Sequence, residues 1–329
     1  MKKKEINNIL KLLYGGNHVI EGIEKSSQCF NNEVYFINLK NPSKKIVIKF
    51  IKSKINENNI KKEYNLLKLF QEKNIDLNFP EIIYYDFSKK LISESFIVMD
   101  RIEGKTLNEI YDDLPNKKEI YFQLGKIIGA INSITYDYYG YLNEDLTLKE
   151  NYKYLDWKDE QIKKINKYLD AIKNEEYITS EFNEKNKKIL NLSKKILDDE
   201  LSPCLCHGDL SFSNVIINDN KINALIDYEF TYSGAPIYDL FKSIKNFKKL
   251  YNYRENLIEG YCKFKKVPKN WENLMWIYHW MERLNWLYDL DNMYWDELNI
   301  EETKKRKELI LVGTLNKINE IYDILFKIK

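Results

Sequence analysis

The sequence predicts an α+β protein, with strands concentrated early in the chain and helices behind them. Three observations predict it. Strand-like runs follow one another at about 18–25, 33–39 and 45–51, separated by a loop and a turn. From Thr106 onward, apolar residues recur at helical spacing. A further strand pair, Val215 to Asn218 and Lys221 to Asp227, interrupts those helices around a two-residue turn.

At 329 residues the chain can bury a large core, in one domain or two lobes. Its 44% hydrophobic and 31% charged residues are the balance of a soluble globular protein. The 52 basic and 50 acidic side chains leave a formal charge of +2, so no global field draws the chain to nucleic acid or an anionic membrane. Met1-Lys2-Lys3-Lys4-Glu5 leads into a polar-studded helix without an apolar signal region, and no run approaches a membrane span. Cys29, Cys204, Cys206 and Cys262 form no Cys-x-x-Cys pair, and three histidines are too few to complete a zinc site. A reduced, cytoplasmic setting is expected.

Residues 5–14 read as a short helix stopped by Gly15-Gly16. Ser26-Ser27-Gln28-Cys29-Phe30-Asn31-Asn32 joins the first two strands, and Asn41-Pro42-Ser43 turns the second into the third. That third strand, Ile46-Val47-Ile48-Lys49-Phe50, carries one lysine inside an apolar run. Lysine is rarely buried unless paired, so Lys49 either has a partner or faces water from an edge strand. A helix at roughly 56–73 offers Glu57, Glu63 and Glu72 as partners. Phe79-Pro80-Glu81 opens another strand region, and Ser95 to Asp100 is a strand running on toward Gly104.

Leu107, Ile110 and Tyr111, then Ile120, Leu124, Ile127, Ile128 and Ile131, mark the helices that follow. The Lys- and Glu-rich stretch 150–200 keeps a helical period through Ile162, Ile165 and Leu169, then Ile189, Leu192 and Ile196. Residues 271–295 hold all but one of the six tryptophans; Trp276, Trp280, Leu284 and Leu287 fall on one stripe, as core residues do. Glu282, Asp289, Asp291, Asp296 and Glu297 add a local acid excess that, in a cleft, would attract a polycation.

The strand pair at 215–227 is a hairpin closed by Asp219 and Asn220, residue types that tolerate positive φ. Pairing Asn218 with Lys221 sets Asn214 opposite Leu225 and puts Asn214 and Asp227 on one face, as diagonal neighbours roughly 7–8 Å apart. Two oxygen-bearing side chains there would hold one small hard cation, with phosphate oxygens completing its shell. Asp209, on the loop entering the hairpin, reaches the same space. His207-Gly208-Asp209 through Asn214, followed by Ile226-Asp227-Tyr228-Glu229, thus has the spacing of a phosphoryl-transfer catalytic loop and its metal-binding Asp. A polar loop in an Asn- and Asp-rich chain is the blander alternative.

In these residues the chain resembles the aminoglycoside phosphotransferase and choline kinase family of small-molecule kinases. Gly208 stands where protein kinases have Arg, Asp227-Tyr228-Glu229 replaces Asp-Phe-Gly, and Ala235-Pro236-Ile237-Tyr238-Asp239-Leu240 follows in place of an Ala-Pro-Glu segment. All three differences favour the small-molecule branch over a protein kinase.

The resemblance implies a bilobal, protein-kinase-like fold. Residues 1–102 would be a small, β-rich nucleotide-binding lobe; residues 103–329 would be a mainly helical catalytic and substrate lobe, with a helical insert at about 150–200 shaping the acceptor pocket. It implies Mg²⁺-dependent transfer of the γ-phosphate of ATP or GTP to a hydroxyl of a small molecule. Asp209 would be the base, Asn214 and Asp227 the metal ligands, Lys49 the phosphate contact oriented by Glu63, and His207 the brace of the loop. Ser26 and Ser27 would donate to the phosphates, although their loop lacks glycines and also fits an ordinary hairpin connection. Backbone groups near Asp100 and Ile102 would meet the purine. Asp239 would cap its helix or bind the catalytic loop's backbone.

Asp209, Glu229, Glu282 and Asp289 are the acceptor candidates, and their charge tilts the acceptor toward a cation, an aminoglycoside-type antibiotic first. A choline-like amine, an amino acid, a sugar or a macrolide is the alternative. A silent, nucleotide-binding pseudokinase is a further one, suggested by the glycine-poor loop and opposed by intact Lys49, Asp209, Asn214 and Asp227. A monomer with a small-molecule substrate and no nucleic-acid or membrane partner is expected.

Overall fold

Among the described residues, five antiparallel strands build the first layer: β1 (Val19–Lys25), β2 (Asn32–Asn41), β3 (Lys44–Ile51), β4 (Ile82–Asp86) and β5 (Ser95–Asp100), in spatial order β1-β2-β3-β5-β4. The structure is a computed structural model that describes residues 2–26, 32–75, 77–197, 202–243, 251–290 and 300–326. Period-two alternation gives the sheet two apolar faces. On one, Tyr35, Ile37, Ile46, Ile48 and Phe50 pack with Ile6, Ile9 and Leu10 of helix α1 (Lys3–Tyr14). On the other, Val34, Val47, Ile51 and Ile97 pack with Ile60 of helix α2 (Lys54–Glu72).

Lys49 alternates in phase with Val47 and Ile51, so it faces α2, and β3 lies inside the sheet rather than at its edge. The hydroxyl of Ser53 starts α2 by accepting the N–H of Asn56 at 3.2 Å. Farther along, Leu66, Leu67 and Phe70 enter the larger, helical core, so this one helix joins both halves of the molecule.

The remaining elements follow as β6 (Lys105–Thr106), α3 (Leu107–Ile110), α4 (Lys117–Asn132), β7 (Gly140–Tyr141), α5 (Trp157–Ile172), α6 (Ser180–Ile196), β8 (Cys204–Cys206), β9 (Val215–Asn218), β10 (Lys221–Leu225), β11 (Tyr232–Gly234), α7 (Pro236–Ser243), α8 (Arg254–Tyr261), α9 (Trp271–Tyr288) and α10 (Ile300–Phe326). This is an α+β fold, with an antiparallel sheet in front and helices behind, as the sequence predicts. Among the described residues no helix is long and apolar enough to cross a membrane.

Helix α4 runs through the helical core and approaches α8 at backbone contact. A Cβ on Gly125 would lie 1.9 Å from the Leu257 carbonyl oxygen, so only glycine permits this approach. Within the 150–200 stretch, α5 and α6 are helical as its period predicts, and both are seated on α9. Trp157 of α5 donates its indole N–H to the Tyr278 hydroxyl at 2.8 Å, and Trp280 donates to Asn186 Oδ1 of α6 at 2.6 Å. The tryptophan stripe is core, with Trp276, Trp280, Leu284 and Leu287 all buried.

The hairpin turns through Asp219 and Asn220 at φ 49° and 58° and pairs Asn218 with Lys221, as predicted. The next pair, Ile222 with Ile217, keeps the predicted register, and beyond it the register is off by one residue. A bulge at Asn223 shifts the ladder, so Leu225 pairs with Val215, and the N–H of Ile226 reaches the Asn214 carbonyl at 3.0 Å. Neighbours satisfy the bulged residue: Asn223 Nδ2 donates to the Glu103 carbonyl at 2.7 Å, and its own carbonyl accepts from the Asn78 N–H at 3.3 Å.

Candidate active site

Two segments leave adjacent strands of a small sheet ordered β7-β11-β8, in which Tyr232 pairs with Cys206. One is the loop 207–214 that follows β8; the other is the turn 226–231 that precedes β11. Ladder pairing therefore brings residues far apart in sequence to one place.

His207 ties the two segments together. Its Nδ1 accepts the Asp209 N–H at 3.3 Å, so the ring proton sits on Nε2, which donates to the Ile226 carbonyl at 3.1 Å. The ring also rests on Tyr228, with centroids 4.4 Å apart. Asp239 of α7 binds the loop's backbone. Its Oδ2 accepts the His207 N–H and its Oδ1 the Gly208 N–H, both at 3.1 Å, while Asn132 Nδ2 donates at 3.3 Å. Burial pushes the Asp239 carboxyl up, against the opposing pull of His207 and of these donors. Gly208 holds φ +81°, and a Cβ there would meet the Phe230 carbonyl oxygen at 2.4 Å.

Asn214 Nδ2 donates to the Asp209 carbonyl at 2.7 Å and to Asp209 Oδ2 at 3.3 Å, which orients that carboxylate. Asp227, two residues past the end of β10, adopts the left-handed region at φ 69° and ψ 62°, a conformation Asp tolerates at some cost in strain. Its Oδ1 lies 3.4 Å from Lys49 Nζ, and Glu63 Oε2 lies 3.3 Å from the same nitrogen. Glu63 Oε1 accepts the Tyr228 N–H at 3.3 Å. Burial alone would lower the Lys49 ammonium, but the carboxylates of Glu63, Asp227 and Glu229 outweigh it and hold the group above the ordinary lysine range.

Of the three glutamates of α2, only Glu63 reaches Lys49. Glu57 pairs with Lys54 at 2.7 Å and Lys61 at 3.8 Å, and Glu72 is exposed. Lys49, Glu63, Asp227 and Glu229 thus form one cluster, joined to Asp209 and Asn214 through His207 and Ile226. Glu229 is 4% exposed, accepts from Asn32 Nδ2 at 3.3 Å, and turns its charge to Lys49 and Lys62.

Glu282 lies within α9 and Asp289 just past its end, each with partners of its own. Glu282 is flanked by Arg283 at 3.2 Å and Lys242 at 3.7 Å, and Asp289 accepts from Asn285 Nδ2 at 3.0 Å near the end of α9. At the junction between lobes, the Asp100 N–H is taken by the Glu81 carbonyl at 2.9 Å, whereas neither backbone polar group of Ile102 has a partner among the described residues. Ser26 donates its N–H to the Val34 carbonyl at 2.9 Å. Ser27, with the rest of 27–31, and Asp291, Asp296 and Glu297 lie outside the described residues.

One residue of the cluster is not legible in the sequence. Lys62, beside Glu63, is buried and donates to the Thr231 carbonyl at 2.9 Å. In a chain with 52 basic residues its only signal is that adjacency.

Among the described residues no three His, Cys, Asp or Glu side chains make a metal site by themselves. The donors that Asn214 and Asp227 offer are hard oxygens and few. That set fits Mg²⁺, which is held by one or two carboxylates together with substrate phosphates.

A model of the phosphotransferase enzyme family matches residues 23–277. No curated protein matches the chain in sequence. Solved structures share its fold over nearly the whole length. Aminoglycoside phosphotransferase APH(2'')-Ib with ADP bound is 16% identical, covers 99% of both chains and gives a TM-score of 0.64. The GDP complex of aminoglycoside 2'-phosphotransferase-IIIa is 14% identical over 98% of this chain and 99% of that one, with a TM-score of 0.66. The streptomycin–ATP ternary complex of APH(2'')-IIa is 16% identical over 99% of each, with a TM-score of 0.63.

Proposed function

We propose, from the premise that this chain belongs to the phosphotransferase enzyme family, an acceptor and a division of labour for its reaction. The chain is a small-molecule kinase that transfers a phosphoryl group from a nucleotide. The acceptor we assign is a hydroxyl of an aminoglycoside-type antibiotic, with ATP or GTP as donor. Similar structures that hold streptomycin or kanamycin support that class.

Asp209 accepts a hydrogen bond from the acceptor hydroxyl and takes its proton late in transfer, because a loose transition state demands little base strength early. Asn214 keeps that carboxylate aimed. Asn214 and Asp227 would hold Mg²⁺, which when bound neutralises phosphate charge as a Lewis acid. Lys49, oriented by Glu63, offsets charge on the phosphate oxygens within its reach. His207 braces the loop and acts on no substrate. Ser26 and Ser27 serve the phosphates, and the backbone at Asp100 and Ile102 serves the purine edge. Residues 1–102 then form the nucleotide lobe and 103–329 the catalytic and acceptor lobe.

The reading rests on one observation: Lys49 within 3.3 Å of Glu63 and 3.4 Å of Asp227, beside a loop that aims Asp209. The charges of Glu229 and Glu282 are matched by nearby lysine and arginine, so recognition of a cation falls more on Asp209 and Asp289. A radiolabelled phosphate-transfer screen with ATP and GTP against aminoglycosides, choline-like amines, amino acids, sugars and macrolides tests the assignment. Label in an aminoglycoside is the expected result. Label only in a neutral metabolite would end the cationic reading.

A further inference from the structure

We propose that Lys62 is a positioning residue for phosphoryl transfer, a buried cation that locks α2 onto the turn after Asp227 and so keeps Glu63 on Lys49. The inference rests on the roles given above to Lys49 and Glu63.

Consecutive residues of α2 grip both ends of one short turn, the 3₁₀ segment Tyr228–Phe230. Glu63 Oε1 accepts the N–H of Tyr228 at its start, at 3.3 Å. Lys62 Nζ donates to the carbonyl of Thr231 just past its end, at 2.9 Å. Asp227 immediately precedes this turn, so any slip of α2 along it moves Glu63 relative to Lys49 and Asp227 together. Apolar packing already joins the two elements, since Phe70 and Tyr228 sit ring to ring at 5.2 Å. Such contacts hold the elements together but fix their register poorly. A directional bond from a buried ammonium fixes it.

Lys62 is 7% exposed, and lysine is almost never buried this far unless paired. Its surroundings set its charge. Burial and Lys149, from the segment before α5, push the ammonium down, while Glu229 on the turn and Glu63 on its own helix pull it back up, leaving it at about 8. Near neutral pH the latch is charged. In mildly alkaline solution it loses its proton, and a neutral amine is a weaker donor to the Thr231 carbonyl.

Hydrolysis of ATP or GTP to the diphosphate in Mg²⁺ buffer needs no acceptor, so it tests the latch before the acceptor is known. At pH 7 Lys62→Met should lower kcat by about tenfold or more, with KM for the nucleotide within about threefold, because the loss is in alignment rather than binding. Wild-type kcat should fall as pH rises through about 8. Lys62→Met should lack that fall, and Lys62→Arg should recover most of the rate and keep it to higher pH, since guanidinium stays charged.

A folded Lys62→Met with wild-type kcat and an unchanged pH profile would overturn the latch. Should Lys62→Met fail to fold, the wild-type and Lys62→Arg profiles decide, and an identical alkaline fall in both overturns it. Lys49→Met separates this from failure of the site itself. Normal turnover in Lys49→Met would sink the reading of the nucleotide site, whereas turnover lost in Lys49→Met but kept in Lys62→Met would sink the latch alone.

Discussion

Asp239 holds Gly208 across 31 positions of chain: its Oδ1 accepts the Gly208 N–H at 3.1 Å, while Oδ2 takes the neighbouring N–H of His207. The loop carrying Asp209 is therefore anchored from α7. Asp239→Ala leaves one buried and one half-buried N–H group without an acceptor and should cost about 2–5 kcal/mol. Asp239→Asn, which keeps one carbonyl oxygen, should cost less. Urea midpoints of both variants measure this, and equal midpoints would remove the anchor.

Asp209→Asn preserves shape but cannot take a proton. Turnover should fall at least about 100-fold while nucleotide affinity holds. Single-turnover transfer and nucleotide titration read the two separately, and near-normal turnover would refute the base assignment.

Asp227→Ala removes both a metal ligand and one neighbour of Lys49. Nucleotide binding should lose its dependence on Mg²⁺ in a titration with and without a chelator. Binding that still responds to Mg²⁺ as in the wild type would reject the ligand role.

Gly125→Ala tests the crossing of α4 and α8. In an exposed helix this change stabilises, by roughly 0.5–1 kcal/mol. Here the added carbon would lie 1.9 Å from the Leu257 carbonyl oxygen, so the helices must part, and a loss of about 1–3 kcal/mol is expected from the denaturation midpoint. A gain would refute the backbone contact between the two helices.

His279 of α9 is 2% exposed, and burial, with Arg283 and Lys317 nearby, lowers its imidazole to about 3. Glu282 lies 3.9 Å from its Nδ1 and would favour the charged form, but Arg283 shares that carboxylate at 3.2 Å, so burial prevails. With a depressed folded value, the unfolded chain binds a proton below about pH 6.5 that the folded chain refuses until pH nears 3. Stability should therefore fall with pH in that window, by about 1.4 kcal/mol per unit from this group. His279→Leu should show a slope shallower by about one proton when urea midpoints are compared between pH 6.5 and 4.5. Identical slopes would refute the buried neutral imidazole.

Local order alone makes much of this protein legible: the three early strands, the positive-φ turn at Asp219 and Asn220, the buried stripe of α9, and the spacing of His207, Asp209, Asn214 and Asp227. Each depends on neighbours a few residues away, whose periodicity and turn chemistry the chain states directly. Which glutamate meets Lys49, where the hairpin slips, and which lysine is buried were decided by tertiary contact. Glu63 prevails over Glu57 because β3 turns Lys49 toward that stretch of α2. The ladder bulges at Asn223 because Glu103 and Asn78 satisfy its polar groups from another part of the fold. Lys62 is indistinguishable from its many exposed counterparts until α2 is laid on the turn at Tyr228–Phe230, because burial belongs to the surfaces that close over a side chain and not to the side chain itself.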